Sequence, residues 1–271
     1  MTTHAHHQSN RAAWNEAARQ YERDIDADVA FLRAGGKNLM APELRLLHDL
    51  PTWCRRAIHL QCAGGTDTLS LWNQGAAEVI GIDISDVMID VARRKSAALN
   101  APATWIRCDL LDTPHELDGT ADLVYTGRGA LNWLMDIDAW AQVVQRLLKP
   151  GGRLFVFEGH PVSTIWDPEA DELRFDPNPL YGDYFAVTPV RDQGWPDQYI
   201  PADVVPQKDE QAFKYERHWT LADILNALVG VGLHLVRFEE YPDLFWDTFP
   251  NMPREIYARL PNTYALLMRK P

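Results

Sequence analysis

The stretch Ala57 to Trp72, AIHLQCAGGTDTLSLW, passes from a run of apolar strand formers through small residues into a helix with an apolar face. A strand apolar on both faces needs helices above and below it, so recurrence of this passage commits a chain to a layered α/β architecture. It does recur. EVIGIDIS (Glu78 to Ser85) reads as a buried parallel strand ending in an acid, followed by a helix that Asp86 caps and that runs to Asn100. ATWIRCD (Ala103 to Asp109) is a third strand, again tipped by an acid, and ADLVYTG (Ala121 to Gly127) a fourth. DIDAWAQVVQRLLKP is helical, PGG stops it, and RLFVFEG (Arg153 to Gly159) forms a fifth strand. Such alternation predicts right-handed βαβ units and a doubly wound, mostly parallel sheet.

The flanks follow other patterns. From Asn10 onward Trp14, Ala17, Ala18 and Tyr21 share one helical face, and a second helix is expected around Pro42 to Leu50. Residues 1–50 are therefore expected to form a helical cap, and 51–271 the main domain. His4, His6 and His7, at the very start, read as a disordered tail rather than metal ligands. From about 160 to 212 prolines and aromatics replace any sustained period, which predicts an insertion that packs over a substrate. KYERHWTLADILNALVGVGLHLVRFEEY then reads as strand, helix capped by Thr220, glycine stop at Gly232 and strand; TYALLMRK closes the chain as a last strand.

Bulk properties exclude several classes. A formal charge of −12 and a pI near 5.1 do not suit a surface that tracks phosphates, so nucleic acid is not the expected substrate. No window reaches the roughly 18 consecutive apolar residues of a membrane span, and MTTHAHHQSNR lacks a signal-peptide core; a soluble, cytoplasmic protein is expected. Cys54, Cys62 and Cys108 fit neither a disulfide framework nor a zinc site and are read as thiols.

In an open parallel sheet ligands bind beyond the carboxyl ends of the strands. Three features converge there: the turn carrying Ala63, Gly64 and Gly65, the acid Asp83 ending the second strand, and Asp109 ending the third. An acid at the second tip can take two ribose hydroxyls, and one at the third can accept from an adenine amino group. Either acid alone would serve as a helix cap; both at consecutive tips favour an adenosine pocket.

The chain here resembles the class I S-adenosylmethionine-dependent methyltransferases, from about Asn10 to Lys270. The matching pieces are HLQCAGGTDTLSL, VIGIDIS, IRCDLLD, ADLVYTGRGALNWL and LLKPGGRLFVFE, the last being the most specific. The resemblance implies a seven-stranded Rossmann-like sheet with an antiparallel last strand. It also implies S-adenosyl-L-methionine as cofactor, leaving as S-adenosyl-L-homocysteine. The cofactor would be held by Tyr21, Gln61, Ala63, Gly64, Gly65, Asp83, Ile84, Asp109, Leu110, Thr126 and Gly127. The chain departs from the family where it carries His59 in place of an acid and Gln61 and Ala63 in place of glycines.

For the chemistry, His160 just after the fifth strand is either a general base or a rim histidine that orients substrate. Arg128 holds a substrate carboxylate or pairs with a surface acid. Trp133, Trp166, Tyr181 and Tyr184 would wall an aromatic or heterocyclic small-molecule acceptor, whereas His218 and His234 read as structural. The expected function is methyl transfer to an O or N atom of such an acceptor, in secondary metabolism, by a monomer or homodimer with no resident metal. Two rivals stay open: an NAD-dependent oxidoreductase, and a protein that binds S-adenosylmethionine or S-adenosylhomocysteine without catalysis.

Overall fold

The structure, a computed structural model, describes residues 1–271 except 197, 198, 202 and 206, which lie within the insertion expected at 160–212 and outside the described residues. The N-terminal region is helical: α1 (Thr3–Arg23), α2 (Ile25–Arg33), α3 (Ala41–Leu46) and α4 (Leu50–Trp53). The expected single helix at Pro42 to Leu50 is thus two short ones, because Asp49 between them takes a left-handed conformation. Then strand and helix alternate: β1 (Arg56–Leu60), α5 (Thr66–Gln74), β2 (Glu78–Asp83), α6 (Asp86–Leu99), β3 (Ala103–Arg107), β4 (Ala121–Gly127), α7 (Ile137–Leu147) and β5 (Leu148–Gly159).

Seven strands form one sheet in the order β3-β2-β1-β4-β5-β9-β8, where β8 is His234–Tyr241 and β9 is Thr263–Arg269. The first five are parallel; β9 runs antiparallel between β5 and β8, with Val156 opposite Leu266. This is the expected doubly wound sheet with an antiparallel final strand. Strand order reverses between β1 and β4, so the crevice for a ligand opens where both end. Alternate side chains of one strand serve opposite faces: Ile58 and Val124 pack with Trp140 under α7, whereas Ala57, Leu123, Tyr125 and Phe155 pack beneath α3 and α5.

Local chemistry fixes the ends. Ser85, not the expected Asp86, caps α6, its hydroxyl accepting from the Met88 amide at 3.1 Å. Thr220 caps α8 (Leu221–Gly230) in a reciprocal capping box with Asp223. The PGG turn is taken into β5 as an irregularity, the register jumping from Ala121 opposite Leu148 to Leu123 opposite Arg153.

The described residues of the insertion include a strand of a small sheet. β6 (Val190–Gln193) pairs antiparallel with β7 (Phe213–Glu216), so the expected strand at KYER belongs to this hairpin and not to the main sheet. A separate cluster joins Trp195, Ile200, Val204 and Val205 to Ala13 and Ala17 of α1. The region 242–262 carries one short helix, α9 (Arg254–Tyr257). No helix among the described residues is long and apolar enough to cross a membrane.

Trp140 is fully buried between α7 and the sheet. Trp140→Ala is expected to cost about 3–5 kcal/mol through lost burial and the cavity left behind. The midpoint of urea unfolding checks this, and a change below about 1 kcal/mol would refute the packing described.

Candidate active site

The turn from β1 to α5 is built against its residues' preference. Gln61 and Ala63 sit at φ of 58° and 45°, and Gly65 at 77°. The left-handed region costs an L-residue roughly 1–2 kcal/mol, so two side chains here need compensation. Asp83 supplies part of it: Oδ2 accepts from the Ala63 amide and Oδ1 from the Ser85 amide, both at 2.8 Å. Gln61 supplies more, its Nε2 donating to the Ala130 carbonyl at 2.9 Å and tying the turn to the loop after β4. A Cβ at Gly65 would lie 2.5 Å from the Trp105 ring, so glycine is required there. Burial pushes the Asp83 carboxyl up to about 6 despite these bonds.

A cavity of about 320 Å³ opens beside this turn. Tyr21, Gln61, Ala63, Gly64 and Gly65 line it on one side, and Asp83, Ile84, Asp109, Leu110 and Gly127 on the other. Of the residues expected to hold a cofactor, only Thr126 lies outside its lining; it is fully buried in β4. Arg128 and Trp133 line this same cavity. Tyr21 on α1 pairs with Tyr199 of the insertion, hydroxyl to hydroxyl at 2.6 Å, and burial raises its pKa to about 12.

Unpartnered buried polar atoms gather at one end: His59 Nε2, Gln61 Oε1 and Arg128 Nε, all from residues lining the cavity. His59 is neutral, burial lowering it to about 3, and its Nδ1 meets the Thr68 hydroxyl at 2.8 Å. Arg128 is held in an ion pair with Asp67 and donates to the Asn38 carbonyl at 2.7 Å, so the surface-acid alternative describes its pairing. Such orphaned donors and acceptors suit the amino-acid end of S-adenosylmethionine, and the two strand-tip acids suit its nucleoside.

The opposite end shows a contact that the sequence hid. His7 is buried, its Nδ1 donating to Asp109 Oδ2 at 2.7 Å while its Nε2 accepts from the Met135 amide at 3.3 Å. The expected disordered tail is therefore incorrect: α1 starts at Thr3, and His7 fastens it beside the third strand tip. Asn15 and Arg11 extend the seam to Ser85 and Asp86.

His160 lines neither this cavity nor the one beyond it. Its Nδ1 accepts from the Val162 amide at 3.1 Å, capping the tight turn Pro161–Ile165, and its Nε2 meets Glu240 at 3.0 Å. Both ring nitrogens are occupied, a geometry that fits a cap and leaves no lone pair for a substrate proton. Trp166 stacks on Phe175 at 4.9 Å, away from both cavities, and Tyr184 packs edge-on to His218.

The second cavity, about 260 Å³, takes Tyr181 from the insertion and shares Gly129, Phe245 and Trp246 with the first. Trp246 covers Gly129 so closely that a Cβ there would lie 2.8 Å from the indole. Glu158, at the end of β5, accepts from the amides of Gly129, Ala130 and Leu131 at 2.7, 2.8 and 3.2 Å. Its burial outweighs those bonds and raises the carboxyl to about 7. Sequence reading missed Glu158, Trp246 and Phe245. An acid inside the apolar run RLFVFEG was the one available signal.

Comparison with known proteins agrees with this geometry. Residues 57–152 match the family model described as a methyltransferase domain. A demethylmenaquinone methyltransferase of Thermus thermophilus is 33% identical over 141 residues, 45% of this chain and 63% of that protein. The chain spans 63% or less of the length of the first curated relatives it matches. An S-adenosylmethionine-dependent methyltransferase from Mesorhizobium loti superposes with a TM-score of 0.56 at 22% identity, over 84% of this chain and 96% of that one. A geranyl diphosphate C-methyltransferase from Streptomyces coelicolor gives 0.55 at 15% identity, over 85% and 76%. The chain has the fold of the class I S-adenosylmethionine-dependent methyltransferases.

Glu158→Gln replaces one acceptor oxygen with a donor facing backbone N–H groups. It is expected to cost about 1–3 kcal/mol and to speed hydrogen exchange at Gly129 to Leu131. Unchanged exchange at those amides would show that Glu158 does not hold the loop.

Proposed function

We propose that the chain transfers a methyl group from S-adenosylmethionine to an oxygen or nitrogen of a small-molecule acceptor. The observation that carries this is the junction of two cavities at Gly129, Phe245 and Trp246, the first lined by both strand-tip acids and the second walled by aromatics. Asp83 would take the ribose hydroxyls, Asp109 and Leu110 the adenine edge, and Gln61, His59 and Arg128 the amino-acid end. S-adenosylmethionine supplies a methyl already activated on a sulfonium. The protein's share is to position the acceptor, exclude water with Tyr21, Tyr199 and Trp133, and accept a proton where the acceptor carries one.

The backbone of the first turn supports this over a dinucleotide. A pyrophosphate needs free N–H groups, but Cys62 N donates to Ile82, Ala63 N to Asp83 and Gly65 N to Cys62. A cofactor without phosphate needs only the close approach that Gly64 and Gly65 permit. The acceptor proposed is an aromatic or heterocyclic small molecule of secondary metabolism, met in the cytoplasm by a monomer or homodimer. The charge of −12 argues against nucleic acid as acceptor.

Calorimetric titration tests the reading, with S-adenosylmethionine expected to bind and NADH not; the reverse would overturn it. Asp83→Ala is expected to weaken S-adenosylmethionine by about 1.5–3 kcal/mol, roughly 10- to 150-fold. Unchanged affinity would remove Asp83 from the ribose site. The ionised carboxylate is the form that accepts two hydroxyls, and its pKa lies near 6. Affinity is therefore expected to be level at neutral pH and to fall as pH drops through about 6, a dependence absent in Asp83→Asn.

A further inference from the structure

The second cavity holds polar groups that the proposed methyl transfer has not used. His218, between β7 and α8, lines it, and its Nε2 is buried with no hydrogen-bond partner. A neighbour favours one tautomer. The Thr164 hydroxyl donates its single proton to the Pro161 carbonyl at 2.9 Å and lies 2.9 Å from His218 Nδ1. When that proton is donated to the Pro161 carbonyl, Thr164 Oγ1 accepts from Nδ1, and Nε2 then keeps its lone pair.

Three further lining residues carry unpartnered buried atoms, one of them the donor Arg217 Nε. Asn132 donates from Nδ2 to Glu216 at 2.9 Å, which leaves its Oδ1 as a free acceptor. The Tyr264 hydroxyl is unpartnered as well, and burial pushes its pKa well up, so it stays a donor. Two acceptors (His218 Nε2 and Asn132 Oδ1) and two donors (the Tyr264 hydroxyl and Arg217 Nε), walled by Tyr181, Trp219, Phe245 and Trp246, match a flat ligand with two hydroxyl groups, each of which can donate and accept.

We propose that His218 is the general base for methylation of a dihydroxylated aromatic acceptor bound in the second cavity, with Thr164 as the positioning residue that fixes its tautomer. This rests on the methyl-transfer reading above. One acceptor hydroxyl gives its proton to His218 Nε2 as its oxygen bonds the methyl carbon, and the electron pair of the broken carbon–sulfur bond stays on sulfur. The imidazolium then releases the proton to water. Groups facing His218 set when it is competent: burial lowers its pKa, Asp183 and Asp223 oppose that, and the net shift is downward, leaving it neutral at neutral pH. The ring of Tyr184 packs edge-on at 5.6 Å, and Glu216 and Arg217 adjoin it along β7 and the segment after it.

The test uses the full chain, His218→Gln and Thr164→Val, with catechol and 2,3-dihydroxynaphthalene as probes and aniline as the amine control. Imidazole ¹⁵N spectra of wild type with S-adenosylhomocysteine are expected to show the His218 proton on Nδ1, and Thr164→Val to lose that preference. His218→Gln is expected to bind S-adenosylmethionine within about twofold of wild type while losing about 10²- to 10⁴-fold in kcat on the diols. Wild-type kcat should fall as pH drops through a value below 6.5, and His218→Gln should lack that limb. A proton found on Nε2, a His218→Gln rate near wild type, or turnover of aniline without the diols would each overturn the proposal. Binding of S-adenosylmethionine with no turnover of either diol would do the same. Failure to bind S-adenosylmethionine would instead refute the methyl-transfer reading.

Discussion

A buried carboxylate at the end of β5 holds the two cavities in register. Glu158 collects three consecutive amides from the loop after β4, and that loop supplies Gly129, the residue at which both cavities meet. Desolvation of the charge is costly and three N–H donors repay only part of it, as its pKa near 7 records. The same device recurs where other strands end or begin. Asp83 holds Ala63 and Ser85, and Asp122 at the start of β4 holds the amides of Arg55 and Arg56 where β1 begins. Parallel strands leave their terminal loops without ladder partners, and these acids supply the missing acceptors.

α1 and the insertion are joined by contacts between distant segments. α1 meets Asp109 through His7, Ser85 through Asn15 and the insertion hairpin through Asn10, whose side chain bonds the backbone of Tyr215 in both directions. Glu16 adds the Ala212 amide, and Tyr21 adds Tyr199. Helix and insertion share an apolar cluster, and residues of both line the first cavity. A ligand confined beneath them is shielded from water, which strengthens every polar contact it makes.

What the sequence revealed and what it concealed divide along physical lines. The acid-tipped strands, the small-residue turn and LLKPGG are local patterns; they placed the sheet, and the strand-tip acids and the turn line the first cavity. HAHHQSN has no apolar period, so nothing local announced that His7 is buried; its partner lies 102 residues away. His160 sits where a catalytic group is expected, yet Glu240, 80 residues on, occupies its Nε2. His218 reads as an ordinary residue before a helix cap. Only the tertiary fold brings Thr164, 54 residues earlier, to its Nδ1. Gln61 and Ala63 look like lost glycines, but Gln61 exchanges backbone ease for a tether to Ala130.

The central claim is that methyl transfer takes place where the two cavities meet. Isotope-edited NMR with S-adenosylmethionine carrying a ¹³C-labelled sulfonium methyl tests it most directly. The account predicts cross-relaxation from that methyl to the Gly129 amide and to the indole or ring protons of Trp246 and Phe245. A bound cofactor whose methyl shows no contact with any of these three would contradict it.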